Sequence, residues 1–380
     1  MEPLEARNLF PIASQWNFLN HAGTAPMSLR SRAAVEAVVN DLTNRPRQQH
    51  RFLEEMERLR QALARIVGGD PEGLTVTRGT AHGISLLAQG LDWRAGDNIV
   101  SARLEYPANL YPWMAQKKRG VELRLVEPDG GRVTPEAVFA MMDGRTRVVA
   151  LSSVQFWNGY RIDIGRIGDE CRRRGVVLAV DAIQTLGVLE TDVKAMNIDF
   201  MAAGAGKWLM GPVGIGLAWF TPALMERIEP LLVGTGSVIK NTEYFNPEFK
   251  WAPTARRFEE SSISWLDLAA FLAAAELLLE IGIDKIEDRV LSLAGRLGDG
   301  LVDRGFEIWE PWPRKRSESS GIVSFRKPDT SPEEQFRDLT AARISCRTHG
   351  DYVRLSPHFY NTVEEIDRAL DVLTPERAPL

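Results

Sequence analysis

The segment MAAGAGKWLMGPVGIG, Met201 to Gly216, sets one lysine, Lys207, among small residues directly after an apolar run. An earlier apolar run, VVLAVD, closes on Asp181 and is followed by Gln184. A desolvated lysine near other cations gives up its proton more readily and can form a Schiff base with an aldehyde. A carboxylate nearby can keep a pyridine nitrogen protonated, so that the ring acts as an electron sink. Pyridoxal phosphate (PLP) carries both the aldehyde and the pyridine, and Lys207 and Asp181 meet its two demands. Asp181 taken alone has a plainer reading, as a cap on the following helix. The phosphate needs backbone donors, and TRGTAHGI supplies a glycine turn opening a helix, where the amides of Gly79, Thr80 and Ala81 can converge on an anion. A nucleotide P-loop does not fit around Lys207, because Met201 and Trp208 stand where a glycine and a Ser or Thr are needed.

These residues need a frame that brings strand ends together. From about residue 50 to 255, helical periodicity alternates with short apolar runs, the signature of an α/β domain with a mainly parallel sheet. Strands are expected at LTVT, NIVSA, RVVALSS, VVLAVD and DFMAAG, with VGIGLAWF as a return strand. The chemically interesting residues follow these runs directly, where open α/β sheets place their ligand sites. The chain then reads as helical through LAAFLAAAELLLEIG, and a smaller α/β segment follows, with strands near GIVSF and YVRLS and a helix at VEEIDRALDVL. The expected organisation is a segment at 1–20 contributing to a small domain, a large cofactor-binding domain at 21–260, a connecting helix at 261–285 and the small domain proper at 286–380.

Composition narrows the function classes. With 46 Lys+Arg against 51 Asp+Glu the net charge is -5, which argues against a nucleic-acid partner. No apolar stretch approaches a membrane span, and MEPLEARNLF lacks the regions of a signal peptide, so a cytoplasmic location is expected. Two cysteines, Cys171 and Cys346, form no disulfide framework, and the five histidines show no metal-ligand spacing.

VDAIQTLG, GKWLMGPVGIG, LEYPANLYPW and VRLSPHFYNT, in this order, resemble the class V aminotransferase family, PLP enzymes of fold type I. The resemblance runs from about FLNHAGTAP to the C-terminus, and its nearest branch is the isopenicillin N epimerase-like group, related to C-S lyases and cysteine desulfurases. It implies that Lys207 is the Schiff-base lysine, that Asp181 pairs with the pyridine nitrogen and that Gln184 reaches the phenolic oxygen. Tyr106, or Pro107 if the alignment slips, matches the group stacked on the pyridine face, with Asn109 near the same edge. Arg354 matches the arginine that holds the substrate α-carboxylate. Ser262 matches a segment that reaches the neighbouring subunit's phosphate, which implies a homodimer with its sites at the interface. His21 is implied at the substrate mouth, with a structural histidine as the alternative, and the QFWNGYR stretch either lines the site or packs.

The departures from the family pattern are Gly204 and Gly206, where Ser and His usually grip the phosphate, and Ala81 in place of a threonine. His82 or Ser262 is the candidate to compensate. Cys346 stands directly before Arg347-Thr348, where desulfurases carry a non-nucleophilic residue. The expected activity is Cα deprotonation of an amino acid or related amine followed by β-elimination or epimerisation. True transamination, or a catalytically degenerate binding dimer, is the alternative.

Overall fold

The computed structural model describes residues 1–239, 245, 248–309 and 312–374. Apolar runs bounded by turns form the strands β1 (Leu74–Thr77), β2 (Asn98–Ala102), β3 (Glu122–Val126), β4 (Thr146–Ser152), β5 (Val177–Asp181), β6 (Phe200–Gly204) and β7 (Gly216–Phe220). They make one seven-stranded sheet in the order β1-β7-β6-β5-β4-β2-β3. From β6 to β3 all neighbours are parallel, and β7 runs antiparallel to both β1 and β6. β7 is thus the return strand expected at its position. β3 escapes the sequence reading because ELRLV lies at the sheet edge, only partly buried, and its Glu122 and Arg124 break the apolar run. The strands inside the sheet are covered on both faces and need no polar alternation.

Around the sheet, α1 (Leu29–Asn44) and α2 (Gln49–Val67) pack against α4 (Trp265–Ile281), while α3 (Thr80–Gly90) opens from the turn after β1. Helix α2 stops at Gly68, whose φ of 68° gives a left-handed cap. Helix α4 is apolar on nearly every side and is accordingly buried. It leads through Gly282 into α5 (Ile283–Asp303).

A second, antiparallel sheet follows in the order β10-β11-β9-β8, made of β8 (Glu307–Ile308), β9 (Val323–Arg326), β10 (Arg347–His349) and β11 (Tyr352–Leu355). It has its own apolar cluster, with Leu293, Leu297, Phe325, Ile344, Leu355 and Leu19. Leu19 belongs there because Asn17–Phe18 pairs in parallel with Ile344–Ser345. No helix among the described residues is long and apolar enough to cross a membrane.

Candidate active site

Parallel pairing sets Asp181 at the end of β5 opposite Ala202 of β6. Lys207 lies just past β6, in a loop folded back by hydrogen bonds from Ala205 N to Ile215 O and from Gly211 N to Ala205 O. The small residues on either side have a steric reason. A Cβ at Gly216 would sit 2.4 Å from Ala203 O and 3.0 Å from Gly79 Cα, so two strand ends and the turn before α3 approach as bare backbone.

Lys207 Nζ lies 5.6 Å from the centroid of the Tyr106 ring and has no hydrogen-bond or ion-pair partner among the described residues. Burial, reinforced by the Arg354 guanidinium, lowers the proton affinity of its amine, against the opposing pull of Asp181. Asp181 is held above the usual carboxylate range by burial and by neighbouring Glu105, although Ile183 N donates to its Oδ1 at 3.0 Å and Lys207 pulls the other way. Gln184 is buried, accepting from Trp208 Nε1 at 2.7 Å and donating to Ala22 O at 3.1 Å, which leaves one amide N–H free.

Glu105, quoted in LEYPAN but given no role there, is the carboxylate the sequence reading missed. It is buried, and accepts from Ser152 N at 2.8 Å, Ser152 Oγ, Asn109 Nδ2 at 3.0 Å and Gln155 Nε2 at 3.1 Å. Burial still raises its proton affinity. Asn109, expected at the substrate edge, uses its amide oxygen to accept from Trp113 Nε1 at 3.0 Å and one N–H to donate to Glu105, so it positions Glu105 and, like Gln184, keeps one amide N–H.

At the turn before α3, Gly79 has φ 138°, and a Cβ added there would meet nothing within 4 Å, so the turn faces open space. Thr80 Oγ1 accepts from Gly204 N at 2.9 Å and keeps its own proton to donate. Ala81 is exposed. His82 Nδ1 accepts from Arg78 N at 3.1 Å, so the neutral ring carries its proton on Nε2, which is buried without a partner. Ser262 is exposed and shares with His82 a cavity of about 250 Å³ that Glu259 and Glu260 also line.

Arg354 enters from β11, 3% exposed. It donates to Phe156 O, its Nε has no partner, and no carboxylate pairs with it among the described residues. Burial and Arg347 push it down to about 10. Beyond it, SPHFYNT clamps the chain around Lys207: His358 Nε2 donates to Trp208 O at 3.1 Å, and Ser356 Oγ accepts from Ala22 N at 3.0 Å.

Of the two readings of His21, at the substrate mouth or as a structural histidine, the second fits, since the ring is fully buried. Its Nδ1 donates to Ser356 O at 3.0 Å and its Nε2 accepts from Tyr360 OH at 2.9 Å, so neither ring nitrogen is left for a ligand. In the QFWNGYR stretch, Phe156 meets Tyr106 edge-on at 5.1 Å, and Trp157 packs on Trp309. Cys346 is buried in the small apolar cluster and its thiol is pushed up to about 12, so no thiolate is available there.

An unpaired buried amine, an opposed carboxylate, an open glycine turn at a helix start and a buried guanidinium lacking an anion fit the demands of PLP and an amino acid. The comparisons agree. Residues 18–369 match the family model for aminotransferase class-V. A cysteine desulfurase of Salmonella agona is 33% identical over 84% of this chain and 82% of the relative. The isopenicillin N epimerase of Streptomyces clavuligerus is 30% identical over 83% and 84%. Among solved structures, the cystine C-S lyase C-DES in complex with its product cysteine persulfide superposes with a TM-score of 0.89 at 25% identity, covering 96% of this chain and 99% of that one. The geometry of the strand ends and these matches lead to one conclusion: the chain belongs to the class V aminotransferase family and is an enzyme of the kind that works through pyridoxal phosphate.

Proposed function

We propose that Lys207 holds PLP and that the enzyme transforms an amino acid or related amine through loss of a proton at Cα, ending in β-elimination or epimerisation. The observation that carries this is the buried Lys207 amine, unpaired, over the Tyr106 ring and close enough to Asp181 and Arg354 for both charges to bear on it. When bound, PLP supplies the electron sink that weakens a bond at Cα. Asp181 would pair with the pyridine nitrogen, the free N–H of Gln184 would serve the phenolic oxygen, and Tyr106 would cover the ring. The Gly79 amide, expected among the phosphate donors, already donates to Thr77 Oγ1 at 3.3 Å, so the Thr80 and Ala81 amides would hold the phosphate, with Nε2 of His82 as the added donor and Ser262 reaching a neighbouring copy. Arg354 takes the α-carboxylate, which satisfies its orphaned guanidinium. The Lys207 amine, once free of the cofactor, would move the Cα proton.

Burial of Cys346 favours a lyase over a persulfide-forming desulfurase, since the desulfurase route needs an exposed thiolate. The site works as a homodimer in the cytoplasm on this reading. Tyr111, Met114 and Val213 are exposed, apolar surface that a second copy would cover. The test is a visible absorption spectrum after adding excess PLP and removing what is unbound, with Lys207→Ala alongside. A cofactor band present only in the native protein supports the proposal, and its absence from both overturns it. Keto-acid product with unchanged cofactor marks elimination, racemised substrate marks epimerisation, and keto acid with pyridoxamine phosphate marks transamination instead.

A further inference from the structure

The α-amine at Lys207 and the α-carboxylate at Arg354 fix two of the substituents on the substrate Cα. What stands at the third point decides which side chain is accepted. His349 lies close enough to feel both anchoring groups. The charges of Arg354, Arg347 and Lys207 all bear on its ring, and the Phe156 ring meets it edge-on at 5.6 Å. Because strand side chains alternate, Arg347 and His349 share one face of β10, and Arg354 lies directly opposite Arg347 on β11.

That face is left incomplete by the protein itself. Like charges directly opposite one another destabilise a strand pair, yet neither Arg347 nor Arg354 has a carboxylate partner among the described residues. One α-carboxylate answers one of these arginines. His349 Nε2 is also buried without a hydrogen bond, as are Arg354 Nε and, on the loop beside Phe156, Trp157 Nε1. Burial and the surrounding cations keep the His349 ring neutral, with one N–H to donate. Phe156, which also touches Tyr106, makes an apolar neck before this polar end.

We propose that His349 and Arg347 read the far end of the substrate side chain, and that the site takes amino acids whose side chain ends in an anionic hydrogen-bond acceptor. This rests on the cofactor and carboxylate assignments above. A site built to pair a buried donor discriminates against an analogue that leaves the donor unmet.

The test titrates cofactor-loaded protein with L-aspartate against L-asparagine, and L-glutamate against L-glutamine, reading the change in the visible cofactor band as binding. In the native protein the acid of at least one pair binds about ten-fold tighter than its amide. Arg347→Gln, at an exposed position that does not threaten the fold, brings that ratio to near one, and His349→Phe lowers it about three-fold or more. A native ratio near one, or a preference that survives both substitutions, overturns this inference while the cofactor assignment stands. A native protein whose band answers to none of the four amino acids likewise overturns this inference while the cofactor assignment stands, and a native protein without the band overturns the underlying reading and this inference with it.

Discussion

Arg354→Met separates a ligand-binding arginine from a structural one. The guanidinium is 3% exposed, without a carboxylate partner among the described residues, and its proton affinity falls from the usual 12.5 to about 10. At about 1.4 kcal/mol per tenfold change, carrying the charge at that site costs the folded state about 3 kcal/mol wherever the group is charged, including pH 7. Methionine fills a similar volume and removes this cost, but leaves Phe156 O without its donor, which offsets about 1–2 kcal/mol. The net expectation is a cofactor-free protein about 1 kcal/mol more stable, seen as a melting temperature higher by ~2 °C. Loss of a bidentate contact to the α-carboxylate, worth about 3 kcal/mol, weakens amino-acid binding by about 100-fold. Thermal melting of the cofactor-free protein and spectral titration of the loaded protein read the two effects separately. A melting temperature several degrees lower with undiminished affinity would refute the reasoning, because an arginine held for structure behaves that way.

Gly204→Ser should tighten PLP binding by about ten-fold by restoring a phosphate donor. The new Cβ finds only ordinary contacts, 3.4 Å to Ile183 Cδ1 and 3.6 Å to Thr80 Oγ1, and an equilibrium-dialysis constant equal to native would count against the proposed phosphate site. His21 and His358 are buried and bind a proton less readily when folded, His358 near pH 4. Their contribution to stability is therefore full above about pH 6.5 and lost as pH falls towards 4, so urea midpoints should drop across that window, and more shallowly in His358→Gln; identical slopes would refute it. Cys346→Ala should retain any C-S cleaving activity, measured as product per cofactor-bearing site, whereas its loss would restore a nucleophilic role for the thiol.

Much of the site was legible because its logic is local. Strand runs ending in Asp181 and just before Lys207 announce a cleft at the C-terminal edge of a parallel sheet, and glycine clusters announce close backbone approach; both follow from residue type and period. Direction of a polar side chain is not local. His21 and Asn109 sit in the right motifs, yet Tyr360, Ser356, Trp113 and Glu105 draw their polar atoms inward, and both partners of His21 come from the far end of the chain, where only the tertiary fold brings them. Glu105 faces Asp181 only because its loop folds back onto the end of β4, where Ser152 holds it. His349 joins Lys207 across more than a hundred residues through the β10–β11 hairpin. Residue types and spacing therefore determined the chemistry and the sheet that carries it, while the tertiary structure decided which charges lose their water and which are left without a partner, since desolvation depends on every segment that packs around a group.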